Sequence, residues 1–236
     1  MEAIILVGGA GTRLRPYTWI LPKPLLPLGE TSILEITLRR LANYGFSKVT
    51  LAVGHKASFI KQVVSEIQGL PFQIEYLEET QPKGTAGFLF DLMPTYSKIL
   101  VMNGDLLTDL DLEETYNDHD EEKYAASIVC VKRKDKIDYG VLIADKSGNL
   151  AEYLEKPESE YLVSSGIYIL SKTDIKTLKT RNFLTMPEAL EEFVKNGRKV
   201  SLSVPNIYWM DLGRPDDYHQ AVDDFDKNPS RFWLDK

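Results

Sequence analysis

The chain has 236 residues, 43% hydrophobic and 27% charged, with a formal net charge of −7 and one cysteine, Cys130. This composition suits one large α/β domain able to bury a sizeable core, and its acidity argues against a nucleic-acid partner. A lone cysteine excludes an intrachain disulfide, and no apolar run approaches the roughly 20 residues of a membrane span. The chain opens on a core strand rather than a basic, signal-type leader, so the expected compartment is the cytoplasm.

The apolar run Ala3-Ile4-Ile5-Leu6-Val7 has the length and β-branching of a buried parallel strand. It empties into Gly8-Gly9-Ala10-Gly11-Thr12-Arg13-Leu14-Arg15, whose glycines let backbone N–H groups approach an anion. The loop lacks the Gly-Lys-Ser/Thr of a Walker A motif, and Leu14 stands where a dinucleotide fingerprint needs its third glycine. It carries its own cations instead, Arg13, Arg15 and the Pro-flanked Lys23, a pattern suited to a triphosphate held by amides and charge.

Ile33, Leu34, Ile36, Leu38, Leu41 and Tyr44 recur at helical spacing, and Gly45 is placed to stop that helix. Strands are expected over 48–53, 73–77 and 98–102, with a helix over 57–67 and another beginning after Gly84. This alternation predicts βαβ units and a parallel sheet. An acidic helix is expected over 111–122 and a strand over 125–131. Shorter strands follow, with turns at Asp138-Tyr139-Gly140 and Ser147-Gly148-Asn149, then a strand over 161–170 broken by Gly166. A helix over 187–195, a strand over 200–204 and a last helix from near Pro215 complete the pattern. With no repeat or linker, residues 1–236 read as a single domain, and the tail 226–236 follows no period. Its Phe232, Trp233 and Leu234 are expected to pack on their own domain in preference to a neighbouring subunit.

Beyond the glycine loop and Pro22-Lys23-Pro24, four more motifs occur in order. They are Asn103-Gly104-Asp105, Tyr139-Gly140-Val141, Glu155-Lys156-Pro157 and Trp209-Met210-Asp211-Leu212-Gly213-Arg214-Pro215. The set, running from residue 1 to about 222, resembles the sugar-phosphate nucleotidyltransferases, also called nucleoside-diphosphate-sugar pyrophosphorylases. The resemblance implies a Rossmann-like three-layer α/β/α fold with a mixed, mainly parallel central sheet. It implies a nucleotide-binding half over about 1–110 and a sugar-phosphate-binding half over about 111–225. The implied reaction is Mg²⁺-dependent transfer of a nucleoside monophosphate from an NTP to a sugar 1-phosphate, releasing pyrophosphate.

Carried onto this chain, the resemblance assigns Leu6, Gly8, Gly9, Gly11, Thr12, Arg13, Gly84, Thr85, Asn103 and Asp105 to the nucleotide. It assigns Lys23, Tyr139, Gly140, Glu155, Lys156, Ser164 and Gly166 to the sugar phosphate. Arg13 and Lys23 become the catalytic cations, and Asp105 and Asp211 the Mg²⁺ ligands. Taken without the resemblance, either aspartate reads as an Asx-type turn former, and Glu155-Lys156 as a surface pair. Even so, Asp105 lies just past a strand end, where ligands of open α/β sheets bind, and Pro157 stiffens the turn that holds Lys156. Gly84-Thr85-Ala86-Gly87 is closest in wording to guanylyltransferases acting on mannose 1-phosphate and heptose 1-phosphate, which implies GTP. Glu78 and Glu79 are either acceptors for a guanine edge or plain strand-end acids. Ser164-Ser165-Gly166 departs from the Asn-Ala-Gly of many relatives, which opens the acceptor to an unusual sugar or a cyclitol phosphate.

His55, His119 and His219 form no ligand-like spacing and are given no role. Other readings are a catalytically silent nucleotide-sugar-binding subunit and a cytidylyl-, uridylyl- or thymidylyltransferase of the same fold. A phosphocholine transferase would favour an aromatic pocket, and a glycosyltransferase an Asp-x-Asp motif, which Asp105-Leu106-Leu107 does not supply. The expected partners are small-molecule substrates, with no nucleic acid and no membrane, and a homodimer is possible.

Overall fold

The computed structural model describes residues 1–79, 81–92 and 94–232. Its thirteen described strands are β1 (Glu2–Leu6), β2 (Pro27–Leu28), β3 (Thr31–Ser32), β4 (Lys48–Val53), β5 (Ile74–Glu78), β6 (Lys98–Asn103), β7 (Leu106–Thr108), β8 (Tyr124–Lys136), β9 (Val141–Ala144), β10 (Leu150–Leu154), β11 (Glu158–Ser171), β12 (Lys199–Ser203) and β13 (Trp209–Asp211). The described α-helices are α1 (Tyr17–Ile20), α2 (Ile33–Asn43), α3 (Ala57–Ser65), α4 (Leu112–Asn117), α5 (Lys172–Ile175), α6 (Met186–Lys195) and α7 (Pro215–Lys227).

Seven strands form one sheet in the order β12-β8-β11-β6-β1-β4-β5. All neighbours run parallel except β11, which is antiparallel to both β6 and β8. The fold is therefore α/β with a mixed, mostly parallel central sheet. β1 explains the two-sided burial: Ala3 and Ile5 join the core on one face and Ile4 the core on the other, all fully buried. Alternation across a strand buried on both sides is what makes such a strand read as one apolar run.

Helix α2 packs Leu34, Leu38 and Leu41 onto the first face beside Val49 and Leu51 of β4. Ser32 caps it by accepting the Glu35 N–H at 3.1 Å. α3 adds Ile60 and Val64 to the same core, and α6 covers the opposite face with Ala189 and Phe193. A third cluster, with Leu14, Leu28, Leu107, Leu212 and Phe225, seats α7 against the phosphate-loop region. No helix among the described residues is long and apolar enough to cross a membrane.

The fold differs from the sequence reading in three places. The acidic helix expected over 111–122 stops at Asn117, because Asp120 Oδ1 accepts the N–H groups of Glu122 and Lys123 and turns the chain into β8. The helix expected after Gly84 is a single 3₁₀ turn, Gly87–Phe90. The strands read over 125–131 and 161–170 run on to Lys136 and begin at Glu158, so β8 and β11 project past the sheet as a two-stranded ribbon. The tail packs as expected for Phe232: a 3₁₀ turn at Pro229–Arg231 brings it into the protein's own core, against Tyr208 and Phe225. Trp233 and Leu234 lie outside the described residues.

Candidate active site

β1, β4 and β6 are parallel neighbours, so Leu6, Val53 and Asn103 end side by side. The glycine loop leaves from this edge. Gly11 needs its glycine twice over: its φ is +61°, and a Cβ there would lie 2.9 Å from Thr18 Cγ2. Thr18 in turn donates to the Gly11 carbonyl at 2.8 Å. Lys56 Nζ donates to the carbonyls of Thr18, Trp19 and Ile20 at 3.1, 2.8 and 2.9 Å, fixing the segment that follows the loop.

A cavity of about 510 Å³ opens over this edge. It is lined by all ten residues assigned to the nucleotide, namely Leu6, Gly8, Gly9, Gly11, Thr12, Arg13, Gly84, Thr85, Asn103 and Asp105, and by Lys23. Glu79, Phe88, Phe183 and Thr185 line it as well. Of the two neighbouring acids only Glu79 reaches the cavity; Glu78 pairs outside with Lys61. Burial pushes the Glu79 carboxyl above its usual range, opposed by a hydrogen bond from the Lys83 backbone N–H.

Phe183 and Thr185 had no signal in the sequence. They arrive because Gly84-Thr85-Ala86 runs alongside Leu184-Thr185-Met186. The Ala86 N–H donates to the Leu184 carbonyl at 2.9 Å and the Leu184 N–H to the Lys83 carbonyl at 2.8 Å. The Met186 N–H donates to Thr85 Oγ1 at 2.9 Å. Gly84, at φ +87°, has no room for a side chain, since a Cβ would overlap the Leu184 carbonyl. These bonds take the place of the helix expected here.

The acidic pair is assembled by a short ladder. β7 and β13 pair antiparallel with Asp211 opposite Leu106, and the Leu212 N–H donates to the Asp105 carbonyl at 3.0 Å. Both carboxylates then face the largely buried Lys23: its ammonium contacts Asp105 Oδ2 and lies 3.4 Å from Asp211 Oδ1. Three segments far apart in sequence thus converge on one point beside the glycine loop.

The residues assigned to the sugar phosphate are less gathered. β9 and β10 form a two-stranded hairpin carried by the ribbon, with Tyr139 79% exposed at its base. Glu155 and Lys156 are exposed, and Lys156 holds φ +45° ahead of Pro157. Gly140 lies against the Tyr153 hydroxyl. Ser164 shares a hydrogen bond with the Tyr168 hydroxyl at 2.8 Å, and Gly166, at φ +79°, lies against the Asn103 side chain. Of the seven, only Lys23 lines the described cavity. His119 is buried between Ser127 and Ser171, at 2.7 and 2.9 Å, at the sheet ends of β8 and β11 rather than in the site.

The family model of nucleotidyl transferases matches residues 2–228. The chain belongs to the nucleotidyl transferase family. Among its relatives, it is 32% identical to a mannose-1-phosphate guanyltransferase of Pichia angusta over 228 residues, covering 92% of this chain and 62% of that protein. It is 30% identical to the mannose-1-phosphate guanylyltransferase catalytic subunit beta of Drosophila melanogaster over 225 residues, covering 92% of this chain and 60% of that protein. The chain thus spans about three fifths of the length of these relatives. The crystal structure of HddC from Yersinia pseudotuberculosis superposes with a TM-score of 0.74 at 26% identity, covering 95% of this chain and 99% of that one. The same protein is also solved in complex with GMP-PN. As a nucleotidyl transferase, the chain brings its glycine loop and the β7–β13 aspartates to one edge of the family's sheet.

Proposed function

We propose that this nucleotidyl transferase moves a nucleoside monophosphate, from GTP in preference to other NTPs, onto a sugar 1-phosphate such as mannose or heptose 1-phosphate, releasing pyrophosphate. The observation that carries this reading is the convergence of Lys23, Asp105 and Asp211 beside the glycine loop and Arg13. The preference for guanine draws on the relatives named for guanylyl transfer and on the HddC complex with GMP-PN. Glu79, which lines the cavity, is suited to accept from a guanine edge.

The two carboxylates fit Mg²⁺, which takes oxygen ligands and is commonly held by one or two carboxylates together with substrate phosphates. They converge closely enough to share one ammonium. Bound Mg²⁺ supplies charge neutralisation on the nucleotide phosphates. The chain's own residues do the rest. The loop amides and Arg13 hold the β- and γ-phosphates, and Lys23 neutralises charge building at the α-phosphate. Lys156 orients the incoming phosphate monoester. That nucleophile is already an anion, so no strong general base is required, and catalysis is positioning plus electrostatic stabilisation.

The test is release of pyrophosphate from pure protein given Mg²⁺, ATP, GTP, CTP, UTP or dTTP singly, and a panel of sugar 1-phosphates. GTP-dependent release that requires an acceptor is the expected result. Release with a pyrimidine nucleotide alone would move the assignment to a cytidylyl-, uridylyl- or thymidylyltransferase. Nucleotide binding by calorimetry without release from any pair would make the chain a binding subunit.

A further inference from the structure

A second cavity, of about 410 Å³, has Arg13 and Asp211 in its lining. Arg13 borders both cavities. Around the second stand Lys132 and Arg133 of β8 and Arg214 at the start of α7, with Asp211 and Asp217 the only acids among its lining residues. An acidic chain of net charge −7 therefore gathers four cations against two carboxylates at one place. Lys132 and Arg133 already have partners, Glu160 at 3.1 Å and Asp135 at 3.8 Å. Arg13 and Arg214 have no side-chain hydrogen bond or ion pair among the described residues.

Arg214 does no evident work for the fold. It is exposed, and its side chain makes no cap to α7. Gly213 beside it lets the backbone pass close to both groups: a Cβ there would lie 3.4 Å from Arg13 Nη1 and 3.2 Å from both Asp211 carboxylate oxygens. Two unpaired guanidinium forks facing one cavity match an anion with two phosphoryl groups, since each fork can take one phosphoryl bidentately. None of Tyr139, Gly140, Glu155 or Lys156 lines this cavity, which separates it from the residues assigned to the sugar.

We propose that this cavity is a second pyrophosphate-binding site, through which the leaving group departs. The exit role rests on the transfer reading above. In that reaction an oxygen of the acceptor phosphate forms a bond to the α-phosphorus. The bond from that phosphorus to the bridging oxygen breaks, and its electron pair leaves with pyrophosphate. Arg13 then hands the dianionic ends from the loop amides to Arg214, clearing the loop for the next nucleotide.

The experiment is calorimetric titration of the full chain with sodium pyrophosphate, without nucleotide or metal, at fixed ionic strength. Wild type is expected to take two equivalents. Arg214→Ala should take one, with the affinity of the remaining site changed less than about twofold. Arg214→Lys, which keeps charge but not the fork, should keep the second equivalent about tenfold weaker. One equivalent in wild type, or an Arg214→Ala titration matching wild type, overturns the site. Turnover alongside an Arg214-indifferent titration overturns this site alone. An Arg214-dependent second equivalent in a protein that turns over no substrate pair overturns the transfer reading and the exit role with it.

Discussion

The two halves of the molecule position their candidate residues by different means. In the first, the nucleotide residues sit on loops leaving parallel strands buried on both faces. Their backbones are fixed by the sheet, by Thr18 and Lys56, and by the pairing of 84–86 with 184–186. In the second, β8 and β11 are buried only over their inner ends. Beyond the register shift between Ser164 and Ile167 they continue as an exposed ribbon that carries the β9–β10 hairpin. Tyr139, Glu155 and Lys156 ride on that ribbon, open to water. One half presents its candidate residues gathered around one cavity, and the other leaves its candidates exposed along the ribbon. Under the transfer reading proposed above, the charges for a triphosphate would stand preorganised, and the contacts for the acceptor would be adaptable.

The largest expected effect breaks the assembled half at its centre. Lys23→Ala should lower turnover at saturating substrate by about 10²-fold or more, as loss of a preorganised charge-stabilising donor does. Near-full turnover would remove Lys23 from the chemistry.

The next test asks whether the sheet ends of β8 and β11 are as firmly packed as the first half. Burial, reinforced by Lys98, lowers the His119 pKa from 6.5 to about 4. The unfolded chain therefore binds this proton below about 6.5, whereas the folded protein resists it until about 4. Stability should be flat above that window and fall by about 3 kcal/mol as the pH drops through it. Denaturant midpoints across pH 4–7 measure the slope, and His119→Gln should flatten it. An unchanged slope in the variant would place the acid sensitivity elsewhere.

Gly84→Ala tests the seam between residues 84–86 and Leu184. The new Cβ has no room and the backbone has positive φ, so a loss of about 2 kcal/mol is expected in thermal or chemical unfolding, with weaker nucleotide binding. The smallest effect belongs to the open half. Lys156 is exposed and makes no hydrogen bond or ion pair among the described residues. Lys156→Ala should raise KM for the sugar phosphate about tenfold with an unchanged melting temperature, the loss of one charge-assisted contact. A fall in melting temperature would mean that the ribbon depends on this side chain for its own structure.

The sequence was most legible where local chemistry sets structure. The run 3–7, the glycine loop, α2 with its Gly45 stop and α6 with Gly197 behind it all announce themselves by period and punctuation. What stayed hidden was non-local. β7 and β13 are three residues each, too short to carry a period, yet their ladder is what brings Asp105 and Asp211 together. Phe183 and Thr185 enter the cavity through main-chain bonds to 83–86 that no side-chain pattern encodes. Arg214 sat inside a recognised motif without a role of its own, because an unpaired cation becomes informative only when the cavity it faces is visible.

The β7–β13 ladder also sets a timetable. Asp105 and Asp211 are separated by nearly half the chain, and long-range pairings close late because the intervening loop must first be ordered. A nascent chain extruded past residue 105 carries the glycine loop and one carboxylate but not the second. The acidic pair is completed only after residue 211 has been synthesised and β13 has docked beside β7. The order of manufacture therefore leaves this corner of the site open until the last strand has been made.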